Sequence, residues 1–266
     1  MAFKIGFTVQ AEKKQEMQET CFSTKEVRRS LVTVRFQSRN CSYTYYNDRF
    51  DLHEGDRVFV EGKMEGVRGE VTQVSYSFKI KPTDYQQVIG VADTHVKGEF
   101  LSTCTHFITR DRQALPFEQA QTWFMPPIEG EWVSGEAGEP FSLNNLQGFE
   151  IDPRKAERGC DYYMQNRVVY LELKDGKVRA IVDGSAPYVV EFDYHKGMVS
   201  NITCNCYCVG ACKHQMATLL QLRDILDSIS DVYDLDPHMD YLAAIAKPIF
   251  VEQAFGSKPG GVLLLQ

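Results

Sequence analysis

No apolar run in this 266-residue chain approaches the roughly 20 residues that a membrane-crossing helix needs, residues 262–265 being among the longest. The first residues, Met1, Ala2, Phe3, Lys4 and Ile5, lack the charged, apolar and small-residue regions of a secretion signal. The expectation is a cytoplasmic protein with no membrane partner. Its eight cysteines are then thiols or metal ligands, because the cytosol keeps disulfides reduced. Internal repeats, a P-loop, a nucleophile elbow and a G-x-G-x-x-G after a strand are all missing. Asp231, Asp234 and Asp236 lack the glycine and terminal glutamate of an EF-hand loop and read as a solvated acidic loop. His53, His95, His106, His195 and His238 are scattered without ligand spacing. Cys21, Cys41, Cys104 and Cys160 are isolated, which is how small buried hydrophobes occur. These absences remove the commonest routes to catalysis and point to a binding protein rather than an enzyme.

A large positive charge is also missing. The formal net charge is −7, which argues against wholesale attraction to nucleic acid. Its distribution is uneven. Residues 153–223 carry ten Lys and Arg against seven Asp and Glu, whereas residues 224–266 carry two against seven. A mildly basic segment before an acidic tail permits an anionic partner without demanding one.

What is present reads as α+β. Residues 31–36, 42–46, 57–61 and 69–74 are short and rich in β-branched and aromatic residues, with glycines between them. Four such strands predict a small barrel-like domain over residues 1–92. The turn Glu54, Gly55, Asp56, Arg57, Val58 and the strand Gly69, Glu70, Val71, Thr72, Gln73, Val74 resemble those of SH3-like barrels. Residues 93–152 contain Pro116, Pro126, Pro127 and Pro140 among several glycines, and Trp123, Phe124, Trp132 and Phe141 call for packing. They are expected to form an ordered connector. Residues 160–167 suggest a short helical approach. Asp175 and Gly176 form a two-residue hairpin signal between strands at 168–173 and 177–182. Turns at residues 184–187 and at Lys196 and Gly197 extend this into a meander that ends at Thr203.

Four of the eight cysteines then fall at positions 204, 206, 208 and 212. Side chains two apart on an extended chain share a face, so Cys204 and Cys206 can reach one ion. The same spacing in a helix turns side chains about 200° apart. Cys212 therefore belongs just ahead of a helix whose first turn holds His214. Met216, Leu219, Leu222, Leu226 and Ile229 give that helix one apolar face. Gly210 lets the loop turn and bring the pairs together. Cys204, Cys206, Cys212 and His214 make a Cys₃His set suited to structural zinc. The four cysteines alone could also hold an iron–sulfur cluster or exchange as ligands through Cys208. His214 and the helix that follows favour zinc, with Cys208 outside the ligand set.

The order C-x-C, five residues, Cys-Lys-His and an apolar helix resembles the SWIM zinc finger, found in bacterial helicase-associated proteins, transposases and some recombination mediators. The resemblance extends upstream over the meander and covers residues 156–222. Tyr207 departs from it, since many relatives place proline there, and Cys208 is an additional thiol. It implies a zinc-finger domain over residues 153–223, with residues 224–266 as an acidic extension. It also implies DNA, RNA, or a helicase or recombination protein as partner. Lys213 within the finger is a candidate nucleic-acid contact, and reads equally well as a solvated side chain. Two alternatives stand beside this: an assembly module that binds only protein, and an enzyme using the aromatic connector as a pocket.

Overall fold

The computed structural model describes residues 4–6, 27–126, 139–234, 236, 239–255 and 264–265. Cys21, Trp132, Pro127 and His238 lie outside them. In chain order the strands begin with β1 (Lys4–Gly6), β2 (Ser30–Phe36), β3 (Cys41–Asn47), β4 (Arg57–Val60), β5 (Gly69–Ser75) and β6 (Val88–Val91). Next come β7 (Glu99–Ser102), β8 (His106–Thr109), helix α1 (Phe117–Gln121), β9 (Phe141–Ser142) and helix α2 (Pro153–Met164). The meander is β10 (Val168–Lys174), β11 (Lys177–Asp183), β12 (Pro187–His195) and β13 (Met198–Cys204). Helix α3 (Lys213–Tyr233), β14 (Tyr241–Ala246), helix α4 (Lys247–Phe255) and β15 (Leu264–Leu265) complete the described chain. Two antiparallel sheets and four helices make this an α+β protein.

The smaller sheet has five strands in the order β3-β2-β5-β4-β6. Alternation places Val32, Val34 and Phe36 of β2 on one face with Val58, Val60 and Val71, around a core of its own. Barrel closure is not seen: between the edge strands the described residues show one isolated bridge, Tyr46 to Gln87. The expected strands are present, but the ladder stays open there.

The larger sheet has ten strands in the order β15-β1-β7-β8-β14-β10-β11-β12-β13-β9. Asp175 and Gly176 adopt positive φ of 51° and 79°, and Lys196 and Gly197 adopt 49° and 84°. Positive φ at both central residues is what two-residue hairpins favour, because its twist matches that of the strands. The register follows, with Lys174 opposite Lys177 and His195 opposite Met198. Residues 93–152 supply β7, β8, α1 and β9, and residues 224–266 supply the end of α3 together with β14 and α4. β14 lies between β8 and β10, near the middle of the sheet. Every residue of its sequence, Tyr-Leu-Ala-Ala-Ile-Ala, is buried. One sheet face packs on Leu219, Leu222, Ile225, Leu226 and Ile229 of α3. The other packs on Phe117, Trp123 and Phe250. A strand covered on both faces loses its polar alternation.

His106 opens β8 and is fully buried, its Nε2 2.8 Å from the Val168 carbonyl and its Nδ1 2.8 Å from the Thr105 hydroxyl. Burial pushes its pKa down to about 4 and the Lys247 charge adds to this, while the Val168 bond opposes it. The imidazole is therefore neutral, with Nε2 donating and Nδ1 accepting. An unfolded histidine protonates near 6.5, so in the window from about 6.5 down to 4 the unfolded chain binds the extra proton. The stability contributed by neutral His106 is full above that window and falls by about 3 kcal/mol across it. Urea unfolding of the wild type and His106→Asn at neutral and mildly acidic pH should show a steeper acid loss in the wild type. Equal slopes would count against this assignment.

Candidate metal centre

β13 runs out at Cys204, and Asn205 keeps the chain in register beyond it. The Asn205 N–H donates to the Val189 carbonyl at 3.1 Å, and its side-chain oxygen accepts the Val189 N–H at 2.9 Å. The strand ends at Cys204 and the chain bends over residues 205–207, with Cys204 and Cys206 both brought into one compact group. Gly210 has a φ of 68° and open space around it, which suits the loop's return. Lys155 of α2 fastens the loop from outside, its Nζ donating to the carbonyls of Val209 at 3.0 Å and Ala211 at 3.2 Å.

The second pair is placed by the start of α3. Cys212 is the N-cap residue and forms a capping box with Gln215, whose side-chain oxygen accepts the Cys212 N–H at 2.8 Å. The Gln215 amide also reaches the Ile202 carbonyl at 3.4 Å, tying the helix start to β13. Gly159 allows α2 to lie close against this turn: a Cβ there would come within 2.5 Å of the Met216 Cβ.

His214, in the first turn, is 3% exposed and directs Nδ1 toward the thiols, 3.7 Å from Cys204 Sγ and 3.8 Å from Cys212 Sγ. Its ring stacks on Tyr188 with centroids 4.1 Å apart and planes at 18°, and lies 5.6 Å from the tilted Tyr162 ring. Nε2 is buried without a hydrogen-bond partner among the described residues. Tautomer choice follows: with Nδ1 as a ligand atom, the proton resides on Nε2.

One ligand atom from each of Cys204, Cys206, Cys212 and His214 lies within 4.8 Å of the others. A tetrahedral ion with bonds of about 2.3 Å to sulfur and about 2.0–2.1 Å to nitrogen sets such atoms roughly 3.6 Å apart. The spacings to His214 therefore fit a metal ion with little movement. Charge points the same way. The Cys212 thiol is pushed down to about 4 by a hydrogen bond from the Cys204 thiol, with further help from His214 and the Gln215 backbone. That same bond and burial push Cys204 up, and burial raises Cys206 to about 11. Protein groups alone stabilise one thiolate here; a cation would stabilise all three.

Cys208 is exposed and stands apart from the four. Cys206→Ser should lose bound metal, whereas Cys208→Ser should keep it, as read by elemental analysis of the purified variants. Equal loss in both would mean that the ligand set is wrongly drawn. Lys213 is half-buried, with Nζ 4.4 Å above the Tyr162 ring. Sequence reasoning passed over Tyr162, Tyr188, Asn205 and Gln215. Only Gln215, three residues after Cys212, had a legible signal, since glutamine at that spacing marks a capping box.

No family model, curated protein or solved structure matches this chain.

Proposed function

We propose that this chain is a zinc-stabilised binding protein whose knuckle, resembling a SWIM finger, engages nucleic acid. The observation that carries the reading is the compact Cys₃His group between β13 and α3. Thiolate and imidazole donors in a four-ligand set suit zinc and leave no open coordination position for a reacting water, so the metal's role is structural and the site is a binding module, not a catalytic centre. Residues 153–223 supply the local basic excess, ten Lys and Arg against seven Asp and Glu, with Lys213 beside the ligands. The five-stranded sheet, open between its edge strands and built on its own core, is a separate domain, and the protein works in the cytoplasm, where thiols persist as ligands.

The overall charge of −7 favours a second reading, in which the same knuckle docks on a helicase or recombination protein. Salt separates the two. Each phosphate neutralised releases counterions, so affinity for DNA or RNA falls steeply with salt. The few positive charges imply weak binding, on the order of 10⁻⁴–10⁻⁶ M. Labelled single- and double-stranded DNA should bind the wild type at low salt, more weakly at higher salt, and more weakly still to Lys213→Glu of unchanged zinc content. No binding by the wild type even at low salt would sink the nucleic-acid reading.

A further inference from the structure

We propose that Tyr207 is a stacking platform for an unpaired base, so that the knuckle takes single-stranded nucleic acid; this rests on the nucleic-acid reading above. Tyr207 lies between the two ligand pairs, and its side chain is 103% exposed, with Val209 beside it at 92%. A tyrosine ordinarily buries much of its ring, and one left wholly in water keeps a π face available. The backbone that carries it is nevertheless held on both sides. Cys206 belongs to the ligand group before it, Cys212 belongs to it afterwards, and Lys155 holds the Val209 and Ala211 carbonyls. A ring on a tethered backbone loses less freedom on binding than one on a free loop.

The surroundings favour a polyanion over an apolar partner. The start of α2, which Lys155 fastens to the knuckle, carries Arg154, Lys155 and Arg158 against Glu157 and the capping Asp152. Arg154 and Arg158 are exposed and four residues apart, so they share a face of the helix. Lys213 adds a further positive charge at the start of α3. Base stacking on an exposed aromatic ring, with cations tracking the phosphates, is how single strands are held without sequence preference. A duplex offers no free base face. Reading one requires a helix or ribbon in the groove, which a single ring at a loop tip does not supply.

The test uses the full-length, zinc-loaded protein and a labelled oligothymidylate at low salt. Tyr207→Ala should weaken binding by about fivefold to a hundredfold, the range expected of one stacked base, and Tyr207→Trp should restore it. Zinc content should be unchanged in both. An oligonucleotide carrying 5-iodouracil should photo-crosslink at Tyr207. If Tyr207→Ala binds as the wild type does while Arg158→Glu binds less, stacking is wrong although nucleic-acid binding stands. If duplex DNA binds as well as the single strand, with the same dependence on Tyr207, the preference is wrong. If the wild type binds neither, this inference fails together with the reading on which it rests.

Discussion

With zinc in the Cys₃His group as proposed above, stripping the metal with a strong chelator should unfold residues 198–233 cooperatively while the five-stranded sheet keeps its protection. The effect is expected to be large because the ligand group joins two elements that little else joins at that corner. Cys204 ends β13, Cys212 and His214 open α3, and the Gln215 amide bond to Ile202 is long at 3.4 Å. With the cation gone, two half-buried thiols and the buried Cys212 thiol must take up protons or repel one another, and Nδ1 of His214 loses its partner. Structural zinc contributes about 10–16 kcal/mol in isolated finger peptides. Here α3 also buries Leu219, Leu222, Ile225, Leu226 and Ile229, so packing offsets part of that loss. A loss of even a few kcal/mol is a large share of the roughly 5–15 kcal/mol that stabilises a typical domain. The smaller sheet has its own core of Val32, Val34, Phe36, Val58, Val60 and Val71, with no ligand in it. Hydrogen exchange before and after chelation reads the difference by segment. Unchanged protection across residues 198–233 would remove zinc from the structural account.

The Cys₃His cluster was legible because its information is local. Ligand spacing, the glycine between the pairs and the apolar periodicity of α3 all fall within about 30 residues. The Asp175 and Lys196 hairpins were legible for the same reason: two residues of the right chemistry decide the turn. The start of α2 was open to the same reasoning but was placed too late. Asp152 accepts hydrogen bonds from the N–H groups of Arg154 and Lys155, with Pro153 in the first helical position. β14 was harder. Its apolar run shows burial without showing which strands cover it, and its neighbours β8 and β10 lie far away along the chain. Long-range pairing leaves no local mark. The ring of Tyr188 against His214 is of that kind too, since it arises only when β12 and α3 come together. Barrel closure depends on strand tilt and shear, which turn residues do not encode.

Among point substitutions away from the metal, Glu172→Ala should destabilise the protein most, by about 3–5 kcal/mol. Glu172 lies in β10, the strand between β11 and β14, and is 1% exposed. Its Oε2 accepts from Arg179 Nη2 of β11 at 2.7 Å, and its Oε1 accepts the Phe117 N–H at 3.2 Å. Arg179 also donates to Glu118 at 2.8 Å and lies 4.3 Å above the Phe117 ring. One carboxylate thus orients a guanidinium and fixes the first turn of the short helix α1, whose Ala120 is buried beside Trp123. Removing the carboxylate leaves a half-buried guanidinium with Glu118 alone as its carboxylate partner, and an unpaired backbone donor. Both costs exceed the value of the bonds themselves, because the groups had already been taken from water. Arg179→Ala should cost a comparable amount, since it strands the deeper charge. The double variant Glu172→Leu with Arg179→Met should recover much of the loss, because apolar residues of similar volume often replace a buried pair with little penalty. Urea denaturation of the wild type, Glu172→Leu, Arg179→Met and that double variant closes a double-mutant cycle. A coupling near zero would show that the pair acts no differently from an exposed one.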